Sequence, residues 1–426
     1  MAALCGLFMA KKMAAENKVR FIHSGNLNVP QINNNRSTLI AALDAVLVEG
    51  INLPSISSAV IDGSTIIITF VSNHSLISFQ VVRLSGFMPV DLNADFRVVG
   101  VPATNQISIN HPASVASITA IGAAFLAPLG YERVFSGTNK AVYRNANSAA
   151  QHRPFLRVDN SLDPLYNSGY ACYAKVGILK TCTGIDDVSG AQVPFDSTSP
   201  QKNWVATGSG SSVINGWARW YYSRFNYNNS PSTNISDEYQ DQSNGSKGWT
   251  IVGDETAFYL LLNPWIDYPS NKLIYGFGVY DVSEPIDNPY FLSCSMRYTS
   301  ANTDYDFTGT YKFVTATPFV LNSSNSKVLL FEDVVNKNQV LATTDTKDYN
   351  TGSTNVYLNS NLFQETYFLT DGGWLIGKPP FIRYALNART EVNNTSLAVD
   401  DRMFLCNTVA LNNTTNGRVF FDLGVL

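Results

Sequence analysis

Only one stretch of this 426-residue chain repeats its apolar residues at the spacing of a helix. In "NNNRSTLIAALDAVLVEGIN", Leu39, Ile40, Leu43, Val46 and Leu47 recur with helical period. Ser37 stands where an N-cap would, and Gly50 where the helix would stop. Elsewhere short runs alternate or are β-branched and aromatic, bounded by turn residues, which is the pattern of strands. "SAVIDGSTIIITFV" is two such runs about Asp62-Gly63, a strong hairpin signal. "NQISIN" alternates. The chain therefore reads as mainly β. Residues 19–130 are expected to form a small β-barrel-like domain with one helix. Residues 131–426 are expected to form a larger all-β, sandwich-like body with long loops such as "NYNNSPSTNISDEYQDQSNGSKG". Loops longer than ~15 residues are uncommon in compact domains and usually carry function or contacts.

Residues 1–18 read as an N-terminal arm. Its apolar run "ALCGLFMA" precedes Lys11 and Lys12, the reverse of a secretory signal. Such a run cannot form a core by itself, so it is expected to dock on an adjacent subunit. "PASVASITAIGAAFLAPLGY", residues 112–131, is long enough to span a bilayer. Its Ser, Thr, Pro and Gly residues favour buried sheet or a short helix, so no membrane span is expected.

Charged residues make up 15% of the chain, against roughly 25% in ordinary soluble domains. The formal net charge is −4, which lacks the basic footprint of a nucleic-acid binder, and no direct nucleic-acid binding is expected. A polar, weakly charged surface suits a protein largely covered by partners, or one that binds sugars. The five cysteines, Cys5, Cys172, Cys182, Cys294 and Cys406, are odd in number and form no C-x-x-C. Free thiols are the default, with a Cys172–Cys182 bridge as the alternative.

No catalytic, cofactor-binding or metal-ligating residue is assigned. "GGWLIGKPP" imitates a phosphate loop, but Pro379 stands where Ser or Thr must bind Mg²⁺, and no helix can start there. His23, His74, His111 and His152 are scattered. The doublets Asp186-Asp187 and Asp400-Asp401 could bind a cation but read more simply as polar turns. "NGWARWYYSRFNYNN" concentrates aromatics with polar tips, suited to a core, an interface or a sugar. Trp217, Trp220 and Tyr221 are its candidate interface residues. "YERVFSGTNKAVYR" alternates on both sides of a Gly and Asn turn and is therefore a hairpin. Gly137 is expected to need positive φ, and Lys140 and Arg144 to point to solvent or a partner's carboxylate.

The stretch "LGYERVFSGTNKAVYRNANSAAQHRPFLRVDN", residues 129–160, resembles a segment of tailed-bacteriophage virion proteins, in which a "GTNKAVYR" hairpin precedes a "yLRVDD" strand. "GWTIVGDETAFYLLL" and "YGFGVYDVSEPIDNPYFL" are similar to two further elements of that group, although Val279-Tyr280-Asp281 departs from its "FGD" form. "HSLISFQVVRLSGFMPVDLNADFRVVGV" resembles a small β-barrel module of phage tail proteins, with Ser78-Phe79 and Asn93-Ala94 in place of Gly-Asp and Asn-Gly. The resemblance implies a non-enzymatic structural component of a phage particle, at the tail, baseplate or collar. Its implied partners are other virion proteins and copies of itself in a symmetric ring or sleeve. The alternative class is a carbohydrate-binding receptor or adhesin domain that meets host-surface glycan.

Overall fold

The computed structural model describes residues 16–162, 168–169, 171–193, 206–207, 214–215, 218–223, 244–264, 269–270, 272–283, 285–293, 295–296, 329–330, 339–342, 363–369, 375–385, 390–410 and 416–426. The fold of these residues is mainly β, with one short α-helix. No helix among them is long and apolar enough to cross a membrane.

The small barrel is one seven-stranded sheet. Its order is Ile51–Asn52, Ala123–Leu126, Val81–Ser85, Asp95–Ala103, Gln106–Asn110, Thr65–Phe70 and Ile56–Asp62. The first and last strands of that order are consecutive in the chain, so the sheet must curl until its two ends meet. Backbone bonds on either side of the join, Leu53 N–H to Ala124 O and Val71 N–H to Ser55 O, hold it. Ile66, Ile68, Phe70, Ile107 and Ile109 alternate inward and fill the interior. Gly63 takes φ +56° in the hairpin turn. Residues 112–122 contain no helix; of the long uncharged stretch, Ala123–Leu126 and the first residue of Tyr131–Gly137 are strand.

The helix, α1, spans Thr38–Asp44, and a wider π-turn continues it over Ala45–Glu49. Ser37 does not cap it. Its backbone is already helical, and its hydroxyl donates to Asn35 Oδ1 at 3.0 Å instead of reaching the helix N–H groups. Gly50 does stop it, at φ +79°, where a Cβ would lie 2.6 Å from Leu126 O.

The body has three further large sheets' worth of strands in layers. A middle sheet runs Arg20–His23, Trp249–Gly253, Ala257–Leu262, Leu273–Val279, Tyr290–Ser293 and Leu329–Leu330. An inner sheet runs Ser295–Met296, Ala218–Ser223, Cys172–Leu179, Phe155–Asp159, Lys140–Asn145 and Tyr131–Gly137. A C-terminal sheet is built on Leu375–Lys378, Phe363–Leu369, Ile382–Ala385, Asn416–Val425, Arg402–Ala410 and Thr395–Val399. The middle sheet is buried on both faces. Phe258, Leu260 and Leu262 join one core, with the inner sheet, while Ala257, Tyr259 and Leu261 join the other, with the C-terminal sheet. This is why "AFYLLL" shows no polar alternation: neither face meets water.

The strand inside "KVRFIH", assigned by sequence to the small domain, belongs to the middle sheet. Arg20–His23 pairs antiparallel with Trp249–Gly253. Arg97 of the barrel is buried beside it and donates to the carbonyls of Glu16, Phe79, Val19 and Leu423 at 2.7, 2.6, 2.8 and 3.1 Å. One guanidinium thus binds the N-terminal segment, the barrel and the last strand together. Cys172, Cys182 and Cys406 are free thiols.

Candidate interaction surface

The hairpin of the opening resemblance is formed by Tyr131–Gly137 and Lys140–Asn145. Positive φ falls on Asn139, at +56°, and not on Gly137. Asn tolerates that region because its side chain is short and polar. Lys140 and Arg144 each pair with a carboxylate of the same chain. Lys140 Nζ lies 2.5 Å from Asp186 Oδ1, and Arg144 Nε donates to Glu132 Oε1 at 2.6 Å with its guanidinium over the Phe155 ring. The hydrogen bond from Lys140 holds the Asp186 carboxyl below its usual range. Such exposed pairs contribute little stability, ~1 kcal/mol or less each.

The aromatic run is core. Trp220 and Tyr221 are fully buried. Trp220 stacks on Tyr275 and donates from Nε1 to Ser293 O at 3.2 Å. Tyr221 packs against Tyr173, and its hydroxyl accepts from Arg219 Nη1 at 2.9 Å. Alternation sends Trp220 and Tyr221 to opposite faces, and both faces are covered. Trp217 lies outside the described residues.

A feature not read from the sequence is a row of charges across the inner sheet. Strand register sets Lys140 opposite Asp159, Asp159 opposite Lys175, and Lys175 opposite Arg219. Asp159 Oδ2 receives Arg157 at 3.4 Å and Lys175 at 3.6 Å. The signal was one or two charges in each mostly apolar strand, but the row exists only once the register is known. The acidic doublets are turns: Asp187 binds Thr183 and Ser189, and Asp400-Asp401 joins Thr395–Val399 to Arg402–Ala410. Gly377 and Lys378 lie on a strand, with Nζ 2.8 Å from Glu365 Oε1.

Among the described residues, two places suit contact. The first is a tip of the small barrel where Met88, Val90 and Ile121 are exposed at 55, 68 and 43%. The tip is ordered from within. Phe87 and Leu92 are buried beneath it, and the Asn93 amide clasps Phe87, accepting its N–H at 2.8 Å and donating to its carbonyl at 3.0 Å. Met88 also exchanges backbone bonds with Ala120 and Thr119. The second is an open cleft of about 500 Å³ lined by Gln151, His152, Ser283, Ile286 and Asp287. It joins two of the stretches that carry the resemblance. Its Ser283 hydroxyl is committed to the backbone, 2.9 Å from Ile376 O and 3.1 Å from Leu375 O. Burial lowers the pKa of His152, whose ring meets the Tyr290 ring edge-on.

No protein-family model matches the chain, and no curated protein matches it at a significant level.

Proposed function

We propose that this protein is a non-enzymatic structural component of a tailed-bacteriophage particle, at the tail, baseplate or collar, with the virion as its location. It would work as one of several copies in a symmetric assembly, contacting other virion proteins through its small barrel. The observation that carries the reading is the barrel tip. An ordered loop that buries Phe87 and Leu92 while turning Met88 and Val90 outward is a surface shaped for contact. The body supports the same reading. Its best-placed charges, Lys140, Arg144, Arg157, Lys378 and Arg402, are engaged with carboxylates of the same chain. The glycan-binding alternative loses two of its aromatic candidates, since Trp220 and Tyr221 stack inside the core.

The test has two arms. Mass spectrometry of purified particles should find the protein at a fixed copy number. Met88→Asp with Val90→Asp should leave the isolated protein's stability within about 0.5 kcal/mol, as for other exposed positions, while reducing its incorporation severalfold. Absence from particles overturns the structural reading, and specific retention on a glycan array favours the alternative.

A further inference from the structure

A buried amine and a buried carboxamide meet between the middle and C-terminal sheets. Lys272 stands just ahead of Leu273–Val279, and Asn407 lies within Arg402–Ala410. They are 3% and 0% exposed. Lys272 Nζ is 2.7 Å from Asn407 Oδ1 and 3.1 Å from Thr250 Oγ1. The Thr250 hydroxyl is itself 2.7 Å from Asn394 Oδ1, to which it donates, leaving its oxygen to accept from Nζ. No carboxylate among the described residues pairs with Lys272.

Two acceptors match the two hydrogens of a neutral amine. An ammonium would carry a third N–H with no acceptor. Burial without a counter-charge lowers the amine's pKa to about 7. The neutral form keeps a lone pair and is a nucleophile. Asn407 presents the matching electrophile. Its Oδ1 is held by Nζ, while its Nδ2 is buried with no hydrogen-bond partner. An unsatisfied buried donor is destabilising wherever it stays.

We propose that Lys272 and Asn407 join in an intramolecular isopeptide bond that the chain forms by itself. Nζ attacks Asn407 Cγ and the Nζ–Cγ bond forms. The carbonyl electron pair then returns and breaks the Cγ–Nδ2 bond. One Nζ hydrogen ends on the departing nitrogen, so the products are a secondary amide and one ammonia. The exchange needs no oxidant, reductant or cofactor. Thr250 Oγ1, already accepting from Nζ, is the positioned first acceptor for that hydrogen. The product removes both the buried amine and the unpartnered NH₂ group. It also ties covalently two layers whose linked residues are 135 apart in sequence. A particle protein under mechanical load would gain from such a tie, but the chemistry does not depend on that role.

The experiment is the intact mass of the purified full-length chain under denaturing conditions, followed by a digest. The expected mass is lower by one ammonia than the sequence requires, and the digest yields a branched peptide joining the Lys272 and Asn407 segments. Lys272→Met and Asn407→Ala should each restore the full mass and lower the melting temperature. The proposal is overturned if the wild-type chain, after prolonged incubation above pH 7, keeps its full mass and gives Lys272 and Asn407 in separate linear peptides. Ammonia loss confined to linear peptides, as from cyclisation at another Asn, also counts against it. Should the variants fail to fold, the wild-type mass and digest alone decide.

Discussion

His23 has two unequal ring nitrogens. Nδ1 accepts the Gly25 N–H at 3.1 Å, so the neutral ring carries its proton on Nε2, which is buried without a partner. Burial, which penalises the charged ring, lowers its pKa to about 4 from an ordinary 6.5. The unfolded chain therefore binds more protons than the folded one between these values. Stability from this residue is full above pH 6.5 and is lost as the pH falls towards 4, by about 3 kcal/mol in all. His23→Asn keeps an acceptor for Gly25 and removes the titration. Urea melts at pH 7 and pH 4 should show wild type losing about that much more than the variant; equal losses would show that His23 does not set the acid limit. Phe79 illustrates a different residue-scale balance. It holds φ +72° although it is not a glycine. The left-handed backbone costs ~1–2 kcal/mol, and the buried ring, packed in the core of the C-terminal sheet, offsets it.

At the scale of the element, the hairpin from Tyr131 to Asn145 turns on Asn139. Asn139→Val should cost about 1–2 kcal/mol, because a β-branched residue resists positive φ, while Asn139→Gly should be nearly neutral. Thermal melts of the two variants check this, and an unaffected Asn139→Val protein would mean the turn has another geometry. Gly137→Val is constrained by space rather than by φ, since a Cβ there meets Ile185 at 3.3 Å. Sequence showed this hairpin well because alternation survives where the two faces differ. It failed on "ARWYYS", whose strand Ala218–Ser223 is covered on both sides, so periodicity could not separate core from interface. It also failed at Ser37, where the neighbouring Asn35 captures the hydroxyl that would have capped α1. The charge row and the Lys272–Asn407 meeting were invisible for a third reason. Both depend on pairings between strands far apart in the chain, and no local pattern records those.

For the whole molecule, the division near residue 130 is one of sequence more than of packing. Leu39, Leu43 and Val46 of the helix region, Ile66, Leu84 and Val98 of the barrel, and Tyr143, Leu156 and Trp220 of the inner sheet lie in one continuous core. The helix is fastened to the body hairpin through Asp44, which receives Arg133 at 2.5 Å and the Tyr143 hydroxyl at 2.7 Å. Among the described residues, the strand Arg20–His23 has its ladder partner in the body. A fragment of residues 19–130 would therefore expose one face of α1, leave that strand unpaired and strip Arg97 of its Leu423 carbonyl. Unpaired strand edges and exposed apolar faces favour association over folding. The fragment should aggregate, or bind a hydrophobic dye and melt without a cooperative transition, whereas the full chain melts cooperatively. A monomeric fragment with a sharp melt and a dispersed NMR spectrum would show that the barrel closes on its own. The shared core would then be a docking interface between two independent domains.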